Sequence, residues 1–460
     1  RDDVESRGLG DVYKRQDMTQ GNVLSLILRF GLPLIAANTL QQVYSMVDTV
    51  ILGRCDGVTG LAVLGTCSWP MWLLVSFMTN FSQAGSLVLA RRFGAGRMED
   101  LKQAVGNIYV LALLLGLIMT VAYQAAARPM LVMQSTPSQV LDEAVLYLRI
   151  NGGGLFALLA YNVYAAFLRA VGDSQTPLYA IVAATLVNLG LDVWFVAGLG
   201  WGAPGAAAAT VMAQAASALV CFLRVRQYAP LRVQHTHLRL RAPVIREFVG
   251  LSIPMLLQSF VIAAGGFFVQ TYVNGYGAAF AAGMSATGKV FGLLETAAIA
   301  LAQSVATFVS QNYGAGRFER IRQGVRLSVW VSLGVATVLA CAMFLWGRPL
   351  LQLFVAPEAM DTAWELLVVM SAGLWIMYPM YSLRQALQAL GNASVPLAAA
   401  AVQLLARVAV TLYLPALIGR AGMYYPTVVA WGTSLVLIGG VFPGWLDHCQ
   451  HCAAIRNEKA

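Results

Sequence analysis

Charge is what this 460-residue sequence has least of: only 11% of its residues are Asp, Glu, Lys or Arg. A soluble domain carries about 25%. With 58% apolar residues, too little polar surface exists to cover several water-soluble domains, which excludes a cytosolic enzyme and a disordered chain. Cysteine is sparse as well. The six at 55, 67, 221, 341, 449 and 452 are scattered and read as packing residues, which excludes a disulfide scaffold. Histidine is confined to His235, His237, His448 and His451, so no zinc-protease helix pair exists, and no glycine-rich nucleotide loop is present. The tail His448-Cys449-Gln450-His451-Cys452 is spaced too tightly for an ordinary tetrahedral metal loop, and no metal site is expected. Period-two alternation is missing too, which argues against a membrane β-barrel.

What remains is long apolar runs. No charged residue occurs in 57–90, 103–127, 193–223, 248–288, 296–316, 327–347, 385–406 or 421–446. A span needs about 20 residues, and a helix satisfies its own backbone in lipid. The pattern predicts twelve helices at 23–53, 59–90, 101–126, 141–171, 176–199, 203–226, 244–274, 281–312, 321–346, 361–390, 395–418 and 422–446. The first run already reads as a span, so no cleavable signal peptide is expected. Residues 1–16 are strongly polar and match nothing downstream. They read as an amphiphilic lead-in or as a non-native leader with the natural start near Met18.

The net charge of +9 is explained by basic loops and not by nucleic acid. Loops after the even-numbered spans hold fifteen Lys or Arg, against four after the odd-numbered ones. That asymmetry places both termini on the cytoplasmic side.

The chain also repeats itself. RRFGAGR at 91–97 recurs as QNYGAGR at 311–317, ArgPro at 128–129 recurs at 348–349, and LRAVGDSQTP at 168–177 recurs as LQALGNASVP at 387–396. Pro33 matches Pro254 at nearly the same offset. The expected organisation is an N-terminal segment at 1–22, one six-helix lobe at 23–226, a basic cytoplasmic linker at 227–243, a second lobe at 244–446 and a tail at 447–460. The expected fold is an all-α membrane protein, twelve helices in two pseudo-symmetric lobes around a central cavity. Two related bundles suit alternating access, with the solute near the midplane.

Polar groups inside spans carry the chemistry, because each is costly unless partnered or wet. The first span holds Asn38, Gln41, Gln42, Ser45, Asp48 and Thr49 at three- and four-residue spacing, hence on one face. With Tyr44 they are candidates to line a cavity. Asn188 and Asp192 stack one turn apart in the fifth span, and Thr210 lies in the sixth. Two carboxylates, an amide and a hydroxyl suit either a bound proton or Na⁺ held by hard oxygens. Pro33 removes a helix hydrogen bond and makes the first span a candidate moving part.

The second half is not an electrostatic copy, since Asn188 corresponds to Arg407 and Asp192 to Thr411. Glu295 is expected to neutralise Arg384 or Arg407 across helices, with substrate binding the other role open to it. Tyr161 and Tyr164, with Tyr378, Tyr381 and Gln385, are substrate candidates near the midline, as are Trp69, Met71, Trp72 and Met78. Aromatic and methionine walls suit flat organic cations. No intramembrane nucleophile–base constellation is present, so an enzyme is not expected.

The motifs LQQVYSMVDTVILGR (40–54), the paired GAGR loops, LRAVGDSQTPLY (168–179) and VNLGLD (187–192) resemble the multidrug and toxic compound extrusion (MATE) family over about 20–446. The resemblance implies two six-helix lobes and efflux of organic cations driven by inward Na⁺ or H⁺, with no cofactor. Its first-helix acid falls on Asp48, its bending proline on Pro33, its fifth-helix amide and acid on Asn188 and Asp192, and its sixth-helix hydroxyl on Thr210. These match the cation site of the prokaryotic DinF-like branch. Another branch adds acids in helices seven and ten, and this chain has none in 248–288 or 366–383. A monomer in the bacterial inner membrane is expected. The alternative function is a flippase for lipid-linked or oligosaccharide precursors, which would want basic residues to hold pyrophosphate.

Overall fold

A computed structural model describes residues 17–134, 136–352 and 357–458; the polar leader at 1–16 lies outside them. The described chain is helical throughout. Its elements are α1 Val23–Cys55, α2 Gly57–Gly94, α3 Met98–Met133, α4 Ser138–Gly153, α5 Leu155–Ala170, α6 Gln175–Asp192, α7 Gly202–Gln227, α8 Ala242–Gly275, α9 Ala278–Gly314, α10 Phe318–Leu351, α11 Met360–Ala389, α12 Ser394–Ile418 and α13 Pro426–Glu458. Eleven are long and apolar enough to cross a membrane, and α4 with α5 makes the twelfth span, bent by 44°.

That bend departs from the single helix expected at 141–171. It falls at Gly154, where a Cβ would lie 2.3 Å from a Val211 methyl of α7. Only glycine allows so close an approach, and the chain turns where the two helices press together. A second departure follows α6. Val193–Gly198 forms a π-helix where a continuous α-helix to 199 was expected. Such widened turns recur at functional sites, and this one begins immediately after Asp192.

Among the described residues the chain separates into two compact units, 36–249 and 18–35 with 250–458. The start of α1 thus packs within the second unit. Met18 donates its backbone N–H to Gln311 Oε1 (2.9 Å), and Asn312 Nδ2 donates to Met18 O (3.1 Å). Ser304 donates to Ile27 O at 2.8 Å. Pro33 lies two residues before the changeover at 35/36.

The internal repeat is written into the backbone. Gly96 and Gly316 both take the left-handed conformation, at φ 70° and 68°, and Gly172 and Gly391 both take φ 90°. Glycine bears this without a Cβ penalty, and it closes each helix end. Arg97 N donates to Arg92 O and Arg317 N to Asn312 O, so the two GAGR turns share one hydrogen-bond pattern. Arg128 meets Asp142 at 2.9 Å and Arg348 meets Asp361 at 3.8 Å, equivalent pairs in the two halves.

Within the second unit α9 and α11 are central. The α9 run Ala298, Ala300, Ala302, Ser304 and Ala306 is fully buried. Small residues allow the close helix approach that packing in lipid requires. In the first unit the buried stretch Ser82–Ala90 of α2 plays the same part.

The basic linker is docked and not loose. It makes two short 3₁₀ turns, Ala229–Leu231 and His235–Leu238, against the start of α3. Gln103 Nε2 donates to His237 O (2.9 Å) and Arg239 O (2.6 Å), and Asn107 Oδ1 accepts from Arg241 N (2.7 Å). His237 Nε2 meets Glu99 Oε1 at 2.7 Å. Gly106 makes the fit possible, since a Cβ there would lie 2.2 Å from His237 O.

Candidate functional site

The polar cluster of the first unit is assembled by α1, α4, α6 and α7. Asp192 ends α6 and is 1% exposed, and Asn188 one turn earlier is 2% exposed. Asp48 faces Asp192 from α1, half-buried, and the two carboxyl groups interact directly. Tyr44, one turn before Asp48, brings its hydroxyl to Thr210 of α7. The structure therefore brings together Asp48, Asn188, Asp192, Thr210 and Tyr44.

The decisive feature is a shortage of donors. Asp48 Oδ1 and both oxygens of Asp192 are buried and accept no hydrogen bond among the described residues. Asn188 Nδ2 is likewise buried without an acceptor. A buried carboxylate costs several kcal/mol unless its charge is met. Two facing carboxylates cannot both stay ionised without something positive between them. Such an arrangement of hard oxygens is chemically suited to a proton or a small hard cation.

Tyr147 of α4 also borders the cluster, close to both Asp48 and Tyr44 and 8% exposed. The sequence reading passed over it. Its signal was there: Tyr147 and Asn151 repeat the one-turn polar spacing of Asn188 and Asp192, and Asn151 Nδ2 donates to Tyr147 O at 3.0 Å.

Asn38 is half-buried on α1, and Gln41 and Gln42 are exposed. Tyr161 is half-buried on α5. Tyr164 is part of an aromatic cluster with Tyr109, Phe167 and Phe222, its centroid 5.4 Å from that of Phe222. Trp69 and Trp72 stack on each other at 5.1 Å and stay exposed, as interface anchors do. Met78 is fully buried. Cys449 of the tail is buried near Leu390 O, whereas His448 and Cys452 lie 3.6 Å apart on α13.

In the second unit Glu295, Tyr381, Arg384 and Arg407 line one cavity of about 150 Å³. The expected ion pair is not formed: among the described residues no contact within 4.0 Å joins Glu295 to either arginine, and its Oε1 instead accepts from the Tyr381 hydroxyl at 2.5 Å. Arg384 lies over the Tyr381 ring, 4.1 Å from its centroid. Arg407 Nη1 donates to Ile262 O at 3.0 Å. The Tyr381 hydroxyl thus satisfies one Glu295 oxygen with a charge-assisted hydrogen bond. Tyr378 is buried off this cavity with its hydroxyl on Leu294 O (2.7 Å), and Gln385, next to Arg384 in sequence, is half-buried and also off the cavity wall.

A duplicated twelve-span helical bundle with a buried carboxylate pair inside it defines a multi-pass membrane protein of the transporter class. The MatE family model matches residues 33–194 and 254–413, the two halves of the repeat, and the chain belongs to the MATE transporter family. The probable multidrug resistance protein YoeA of Bacillus subtilis (strain 168) is 28% identical over 351 residues, 74% of this chain and 75% of that protein. The DNA damage-inducible protein F of Escherichia coli (strain K12) is 30% identical over 205 residues, 44% of each chain. A crystal structure of MATE in the bent conformation superposes with TM-score 0.89 at 18% identity, covering 96% of this chain and 99% of that one.

Proposed function

We propose that this chain is a secondary multidrug efflux transporter that exports organic cations in exchange for Na⁺ or H⁺ by alternating access. YoeA carries multidrug resistance in its name, and the protein shares its family. The observation that carries the coupling step is the set of three donorless carboxylate oxygens on Asp48 and Asp192. An inward-moving ion occupies the pair, with Asn188 and Thr210 beside it and Tyr44 and Tyr147 on its rim. Pro33 is the hinge, because α1 lacks one backbone hydrogen bond there and changes packing unit two residues later. The ion-binding residues match the DinF-like branch. The protein acts as a monomer without a cofactor, catalyses no covalent reaction, and works in the bacterial inner membrane with both termini cytoplasmic.

The flippase reading has one observation on its side, the two guanidinium groups of the second unit. The carboxylates of Asp48 and Asp192 in the first unit suit a positive species and would repel a pyrophosphate, so efflux is the better reading. Dye efflux from cells stripped of other pumps tests it. Asp48→Asn and Asp192→Asn should each abolish efflux at normal membrane levels, and full activity in both would remove the coupling site.

A further inference from the structure

The cavity of the second unit holds more donors than it can use. Arg407 is 8% exposed, yet its Nε is buried without an acceptor among the described residues. Its side chain lies across Gly265 and Gly266 of α8, where a Cβ on Gly265 would come within 3.0 Å of Arg407 Cδ. The two glycines form a berth that fixes the guanidinium at the cavity wall. Arg384 spends the face of its guanidinium on Tyr381, and among the described residues no carboxylate lies within ion-pair distance of it. The fixed charges on the lining are two guanidinium groups against the single carboxylate of Glu295, which already takes the Tyr381 hydroxyl.

The unpaired Nε–H of Arg407 calls for an acceptor oxygen, and with the Arg384 guanidinium on the same cavity a carboxylate, with two oxygens, matches both. A cation entering the same space would meet two like charges. The lining also holds apolar surface, with Phe291 and Trp431 stacked at 5.4 Å, and Met370 and Met380. About 150 Å³ is the size of an engineered cavity that takes benzene. We propose that this cavity binds small aromatic carboxylates, the acid group on Arg407 and Arg384 and the ring against Phe291 and Trp431. This goes beyond the efflux reading and does not depend on the Asp48–Asp192 pair.

Radiolabelled benzoate, with benzamide and benzylamine as uncharged and cationic competitors of the same size, tests the proposal on the purified full chain. Saturable benzoate binding is expected, displaced by unlabelled benzoate at least about tenfold more effectively than by benzamide, and not by benzylamine. Arg407→Gln and the more exposed Arg384→Gln should each weaken it about tenfold or more, whereas Asp192→Asn should leave it unchanged. Equal displacement by benzamide, displacement by benzylamine, or unaltered binding in both arginine variants overturns the proposal. The comparison of competitors needs only the unaltered protein, so a variant that fails to fold does not shield it. Loss of efflux in Asp192→Asn with benzoate binding intact separates this site from the coupling site.

Discussion

Replacing Asp192 with Asn should make the ion-free protein more stable while destroying its coupling. In the unaltered protein three buried carboxylate oxygens of Asp48 and Asp192 lack a donor. Asn is nearly isosteric with Asp. It removes one charge and offers an N–H₂ group to Asp48 Oδ1. One new hydrogen bond to a charged acceptor contributes about 1.5–3 kcal/mol. Spread over the unfolding entropy of a chain this long, at about 2 cal/mol/K per residue, that is a rise of roughly 1–3 °C in Tm. The assay is thermal unfolding in detergent with choline replacing Na⁺ at about pH 9, where neither ion is on hand to fill the pair. Adding Na⁺ or lowering the pH should raise the Tm of the unaltered protein and leave the variant flat. A variant less stable than its parent without ions, or one that still gains stability on adding them, would refute the reasoning that the pair is destabilised when empty.

Other substitutions read different parts of the account. Pro33→Ala restores a helix N–H at the point where α1 changes unit, and should lower the rate of dye efflux without lowering Tm; transport at the normal rate would make the proline a static kink. Gly106→Ala places a Cβ 2.2 Å from His237 O and should free the linker from α3. A cost of about 2–4 kcal/mol is expected, read as faster protease cleavage near 227–243, and unchanged cleavage would show that the linker is not held there. Tyr147→Phe should weaken the ion-induced rise in Tm several-fold and leave the fold intact, because its hydroxyl borders Asp48 and Tyr44.

How much of this was legible in the sequence follows from range. Spans are dictated by uncharged length, and the duplication by glycine turns that only one residue type can make, so both were readable from residues such as Gly96, Gly316, Gly172 and Gly391. The polar cluster was readable because Asn188 and Asp192 sit one turn apart on a single helix. Tyr147 and Asn151 show the same one-turn spacing, but spacing on one helix does not say that α4 packs beside Asp48 and Tyr44. The bend at Gly154 depends on Val211, more than fifty residues away, and the docked linker depends on Gln103 and Asn107 reaching across to His237 and Arg239. The expected Glu295 ion pair failed for the same reason. Charge complementarity is visible in one dimension, but the Tyr381 hydroxyl that takes its place is visible only once α9 and α11 are packed together.

The central claim is that ion occupancy of the Asp48–Asp192 pair drives export. Purified protein reconstituted into vesicles, with a Na⁺ gradient and a pH gradient imposed separately, measures this directly. The account predicts solute movement against its own gradient under at least one of the two and none in Asp48→Asn or Asp192→Asn. Concentrative transport that persists in those variants, or with both gradients collapsed, would contradict it.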